Sequence, residues 1–153
     1  MPSLLGRLIA TGLLAFASLA AWAVPPVFTT DDGAIRGYDP VAYFLQNEPV
    51  KGKPELSYRW NGSEWHFASQ ANLDAFKAAP EKFAPQYGGY CAYGVAQGFT
   101  PKTDPAAFKV VDGKLYLNLS PGVARKWAQD IPGYVRDANR NWPKLKAGEP
   151  VGN

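Results

Sequence analysis

Leu56-Ser57-Tyr58-Arg59-Trp60-Asn61-Gly62-Ser63-Glu64-Trp65-His66-Phe67 is the stretch that decides the fold. Asn61-Gly62 is the pair a two-residue type I′ turn demands, and it sits between two aromatic-rich runs. A turn there pairs Trp60 with Ser63, Arg59 with Glu64, Tyr58 with Trp65, Ser57 with His66 and Leu56 with Phe67. Because strand side chains alternate, Leu56, Tyr58, Trp60, Trp65 and Phe67 share one apolar face. Ser57, Arg59, Glu64 and His66 share the other, which places the chain's one histidine on a polar face, away from the core.

A second hairpin is expected about Asp112-Gly113, between Lys109-Val110-Val111 and Lys114-Leu115-Tyr116-Leu117-Asn118, with Phe108, Val110, Leu115 and Leu117 as its apolar face. Short helices are expected around these hairpins. Asp39-Pro40 caps one carrying Val41, Tyr43 and Phe44, and Ser69 caps another through Ala79 with Leu73 and Phe76 inward. Pro80 to Phe83 adds a turn whose Phe83 folds back on Phe76. Asp104 to Phe108 reads as one helical turn and Val95 to Pro101 as a loop. Ser120-Pro121 starts a helix carrying Val123 and Trp127, and Pro132-Gly133 breaks it. A last helix stacks Tyr134, Ala138 and Trp142 four residues apart. The expectation is a small α+β single domain with two β-hairpins and several short helices, with no internal repeat and no second domain.

The ends bound the compartment. Met1 to Ala23 reads as a cleaved export signal: Arg7, an apolar run from Leu8 to Ala20, then Ala21-Trp22-Ala23 as the cleavage pattern. The run is short for a membrane span, so no stable anchor is expected after cleavage and the protein is expected in the periplasm or secreted. Residues 24–36 form an extended lead-in, 37–142 the domain, and 143–153 a frayed C-terminal tail. Loss of Arg7 lowers the net charge from +3 to +2. The remaining basic residues are scattered, which argues against a nucleic-acid partner. The single methionine is Met1, so a methionine-rich copper(I) site is excluded from the mature chain.

Chemistry concentrates in Pro85-Gln86-Tyr87-Gly88-Gly89-Tyr90-Cys91-Ala92-Tyr93-Gly94, which holds the only cysteine. A lone thiol in an oxidising compartment has no intramolecular disulfide partner. From the residues alone Cys91 is a metal ligand, a nucleophile with His66 as its base, or a buried small residue at a turn. His66 is a ligand or a solvated strand residue opposite Ser57. Successive N–H groups at Gly88, Gly89 and Tyr90 are the pattern of an anion-binding nest, and Tyr87, Gly88, Gly89 and Tyr90 are the candidate cofactor-binding residues. Aromatic residues make up 14% of the chain, so Trp60, Trp65, Tyr87, Tyr90, Tyr93 and Tyr116 are candidates to line a pocket as well as to fill the core.

Asp39-Pro40-Val41, Trp65-His66-Phe67-Ala68-Ser69, Phe76 with Pro80-Glu81-Lys82-Phe83, Tyr87-Gly88-Gly89-Tyr90-Cys91-Ala92, and Asp112 to Asn118 together resemble the YHS domain family in its secreted single-domain branch. The resemblance spans about Gly37 to Trp142. It implies a role in heavy-metal handling, often of copper. The cysteines of metal-binding relatives are missing: Ala42 follows Asp39-Pro40-Val41, and Ala68, Ser69 and Ala71 stand near the hairpin end. The resulting expectation is a non-catalytic protein that binds a metal ion, copper or zinc through Cys91 and His66, or a small ligand. The alternatives are an accessory or protein-interaction domain without metal, then a thiol enzyme using Cys91 and His66. A homodimer sharing a metal between two thiols is also compatible with the residues.

Overall fold

A computed structural model describes residues 23–152. The expected export signal therefore lies, but for Ala23, outside the described residues. In chain order the elements are β1 (Thr29–Thr30), β2 (Gly33–Ala34), a 3-10 turn (Ile35–Gly37), α1 (Pro40–Leu45), β3 (Lys53–Trp60), β4 (Ser63–Phe67), α2 (Gln70–Ala78) and α3 (Pro80–Phe83). A second 3-10 turn (Gln86–Gly89) follows, then α4 (Ala92–Ala96), β5 (Asp104–Val111), β6 (Lys114–Asn118), α5 (Pro121–Trp127) and α6 (Ile131–Ala147). Among the described residues the strands form three two-stranded antiparallel sheets, β1-β2, β3-β4 and β5-β6. This is the small mixed α+β domain the hairpin signals predict. Among the described residues no helix is long and apolar enough to cross a membrane.

The first hairpin takes the expected register for four pairs, from Trp60 with Ser63 to Ser57 with His66. The fifth differs: Phe67 lies opposite Lys53, not Leu56, because the ladder shifts between Lys53 and Ser57. Pro54 falls in that shift, and a proline has no N–H to give a ladder. The second hairpin behaves alike. Asp104 to Phe108, expected as a helical turn, is the start of β5, with Asp104 opposite Asn118 and a shift before Phe108. The lead-in also differs, since β1 and β2 fold it into a small hairpin of its own. Val95 lies in α4 where a loop is expected.

Caps account for most helix starts. The Asp39 carboxylate accepts from the N–H groups of Val41 and Ala42, Ser69 Oγ from Asn72 and Ser120 Oγ from Val123. Pro132-Gly133 starts α6 rather than breaking its predecessor: Asp130 caps it by accepting from Gly133 N–H, and a proline in the first turn costs no hydrogen bond. The expected tail is helical as far as Ala147, and Val151 packs on Gly98.

Among the described residues two apolar clusters form the interior. Val41, Tyr43, Trp65, Phe67, Phe76 and Phe83 build the first, and Phe83 packs edge-on against Phe44. Tyr87, Tyr90, Tyr116, Trp127 and Ala138 build the second, with Tyr134 and Trp142 of the predicted stripe against it. Strand β6 divides them. Leu115 and Leu117 enter the first cluster while Tyr116, on the opposite face, enters the second.

Candidate functional site

His66 has the strand face that its register assigns, but that face is covered. The residue is only 6% exposed because β2 and the 3-10 turn lie over it, with Gly33, Gly37 and Gly52 against the imidazole and its backbone. A Cβ on Gly52 would come within 2.4 Å of the His66 carbonyl carbon, so the approach requires glycine. The solvated histidine expected from the sequence is thus a buried one. Its Nε2 lies 2.8 Å from Glu64 Oε1, and both line a polar pocket with Thr29, Asp31, Arg59 and Ser63.

Cys91 is also buried, at 1% exposure. Its Sγ accepts from Gly94 N–H at 3.4 Å and Leu119 N–H at 3.3 Å, and its S–H donates to Asn118 Oδ1 at 3.5 Å. Burial pushes the thiol above its ordinary pKa of 9.0, partly offset by the N–H groups of Gly94, Leu119 and Tyr93. Both metal coordination and nucleophilic attack need the thiolate, which this setting disfavours. Cys91 lines an apolar pocket with Tyr93, Phe99, Pro101, Leu119 and Val123. No residue of that pocket lines the one beside His66, and no hydrogen bond links Cys91 to His66. Among the described residues there is no group of three or more His, Cys, Asp or Glu side chains placed to hold a metal ion.

The tyrosine-glycine stretch divides. Tyr87 and Gly88 line a groove of about 420 Å³ together with Trp60, Glu81, Asn139 and Trp142. Tyr87 Oη donates to Asn139 Oδ1 at 2.9 Å, and its ring meets Trp142 edge-on at 6.3 Å. Lys146 Nζ sits 5.7 Å over the Trp142 ring. Gly89 and Tyr90 lie behind, Gly89 against Ile35 and Tyr90 with its hydroxyl on the Pro25 carbonyl at 3.0 Å. At the nest expected from Gly88 to Tyr90, other parts of the chain lie close by. Pro26 lies so close to Gly88 that a Cβ there would sit 2.1 Å from its carbonyl oxygen, and Tyr90 N–H donates to the Tyr87 carbonyl.

Of the aromatic residues expected to line a pocket, Trp60, Trp65 and Tyr87 line this groove, Tyr93 the apolar pocket, and Tyr90 and Tyr116 fill the core. Sequence reasoning missed Glu81, Asn139 and Lys146. Trp142 was visible only as part of a helical stripe, which signals packing and not a groove wall.

Residues 41–87 match the family model of the YHS domain. No curated protein and no solved structure matches the chain. The match begins inside α1, runs through the Asn61-Gly62 hairpin and α2, and ends at Tyr87, so the chain carries a YHS domain.

Proposed function

We propose that this is an exported, non-catalytic binding protein whose ligand is a small organic molecule seated in the groove of Trp60, Tyr87 and Trp142. The observation that carries the reading is the groove itself: about 420 Å³, lined by the aromatic rings of Trp60, Tyr87 and Trp142 together with Glu81, Asn139 and Lys146. Such a lining suits a compound with a flat apolar face and a polar rim. Export rests on the signal read in Met1 to Ala23, and detection of the mature chain starting near Val24 outside the cytoplasm is its test.

Ligand-observed NMR of the mature protein against small aromatic and polyhydroxylated compounds tests the groove. Hits weakened at least about tenfold in both Trp60→Ala and Trp142→Ala support it, since a buried aromatic contact is worth upward of about 1.4 kcal/mol. Hits that bind both variants like the parent sink it.

The competing reading, copper or zinc held by Cys91 with His66, draws on the association of YHS domains with metal-related proteins. It ranks second because the Cys91 sulfur already has its donors and its acceptor within the fold. Titration of the reduced protein with copper(I) or zinc decides it: equal binding by parent, Cys91→Ser and His66→Ala removes both residues as ligands.

A further inference from the structure

Backbone conformations recur along the chain at a near-constant spacing. Ile35, Arg36 and Gly37 have φ of 45°, 62° and 76°, while Tyr87, Gly88 and Gly89, 52 residues on, have 56°, 62° and 85°. These are left-handed values, and three in succession are rare for residues other than glycine. Asn61 and Gly62 have φ of 50° and 78°; Asp112 and Gly113, 51 residues on, have 51° and 73°. All five pairs of the β3-β4 ladder reappear 51 residues later in the β5-β6 ladder, including the shift after the first pair. Ser69 and Ser120 cap the following helices, each accepting from the N–H three residues ahead. Ala79 and Asp130 then precede the next helices with φ, ψ of −151°, 68° and −152°, 67°. Between the halves the spacing changes by one, since α1 and its loop are a residue longer than α4 and its loop.

Side chains follow the same correspondence. Gly37-Tyr38-Asp39 is matched by Gly89-Tyr90-Cys91, Pro54 by Pro105 and Ser69 by Ser120. Asp39 N–H donates to the Val50 carbonyl and Cys91 N–H to that of Pro101. The Asp39 carboxylate collects the N–H groups of Val41, Ala42 and Ala68 at 2.8, 3.3 and 2.8 Å and the Asn72 amide at 2.8 Å. The equivalents of Ala42 and Ala68 are Gly94 and Leu119, whose N–H groups both go to Cys91 Sγ. The equivalent of Val41 is Tyr93, whose N–H goes to Asn118 Oδ1, the oxygen that also takes the Cys91 S–H. One carboxylate's work is thus divided between a thiol and an amide.

We infer that the chain is a tandem of two copies of one helix-hairpin-helix unit, residues 35–83 and 87–134, in which Cys91 is the second copy's helix cap in the place of Asp39. The repeat was not expected from the sequence, where few identities survive, and the YHS match ends where the second copy begins. The lone thiol is committed to holding the second hairpin onto α4. The positions left for copy-specific chemistry are those where the units differ in kind: Glu64 and His66 in the first stand where Leu115 and Leu117 fill the core in the second.

The test compares Cys91→Asp, Cys91→Ser and Cys91→Ala by thermal unfolding and measures native thiol alkylation in the parent. A counterpart of Asp39 accepts a carboxylate, with the Asn118 amide turned to donate as Asn72 does. Cys91→Asp and Cys91→Ser are expected to fold and to melt within about 5 °C of the parent, and Cys91→Ala below Cys91→Ser. Iodoacetamide is expected to modify native Cys91 at least about 100-fold more slowly than the unfolded chain. The assignment is overturned by a Cys91→Ala protein that melts with the parent, by a Cys91→Asp protein that fails to fold while Cys91→Ser folds, or by native alkylation at the unfolded rate. An experimental structure in which residues 35–83 and 87–134 do not superpose overturns the tandem itself.

Discussion

Asp39 and Cys91 begin short helices of the same shape and receive N–H groups from two equivalent places, yet the atoms that receive them differ in strength. Asp39 is fully buried and gathers four donors on one charged group. Hydrogen bonds to a charged acceptor are roughly twice as strong as neutral ones, and sulfur is a weak acceptor. The first half therefore depends on its cap more than the second does. In Asp39→Ala four buried donors lose their acceptor, and the expected loss is about 4 kcal/mol in denaturant unfolding. In Cys91→Ala the Asn118 oxygen still serves Tyr93, so the expected loss is about 1–2 kcal/mol. Equal losses from the two substitutions would break the comparison.

What the sequence showed of this arrangement was local. Asn61-Gly62 and Asp112-Gly113 specify their turns and the adjacent pairs because the turn sets the register. Asp39-Pro40 and Ser120-Pro121 mark helix starts because side-chain capping needs only neighbours. The readings that went astray depended on partners far along the chain. Asp104-Pro105 has the same local signature as Asp39-Pro40, but Asn118 draws it into a strand. His66 is buried by Gly33, Gly37 and Gly52, none of which its own strand predicts. The groove joins the first hairpin to α6, so Trp60 was visible as an aromatic residue and Asn139 not at all. The repeat lies in backbone angles and hydrogen bonds, which many residue combinations satisfy.

The two apolar clusters differ in the same sense as the two caps. The first is built from phenylalanine rings and aliphatic groups with Tyr43 and Trp65, and the second is richer in tyrosine, with Tyr87, Tyr90 and Tyr116 beside Trp127. Burial raises the pKa of Tyr43, Tyr87, Tyr90 and Tyr116 above the ordinary 10.0, with neighbouring Tyr38 and Asp104 adding to Tyr43, Tyr116 to Tyr87, and Asp112 to Tyr116. Raised folded values mean that the native state holds these protons more tightly than the unfolded chain does. Their contribution is complete below the unfolded value of 10.0 and is lost as pH rises toward the folded values. Cys91 adds the same sign from 9.0 upward. Four of these five groups belong to the second half, so alkaline titration followed by amide NMR is expected to broaden signals of residues 87–147 before those of 37–83. Simultaneous loss of both would show one cooperative core in place of two separable ones.

The finest contrast is between two buried tryptophans. Trp65 Nε1 donates to the Trp60 carbonyl at 3.0 Å, and Trp127 Nε1, in the second cluster, has no hydrogen-bond partner among the described residues. Both side chains are essentially inaccessible, at 0% and 1% exposure. Replacement by phenylalanine removes similar volume from each, so the cavity cost is common to both. In Trp65→Phe a made hydrogen bond is lost as well, for a total of about 2 kcal/mol. In Trp127→Phe an unsatisfied buried donor disappears, which returns about 1 kcal/mol or more against the cavity, so the net change is expected near zero. A gap of about 1–2 kcal/mol between the two variants in urea unfolding is the expected result. Equal costs would mean that the Trp127 indole finds a partner in solution, and the second cluster would then be as well satisfied as the first.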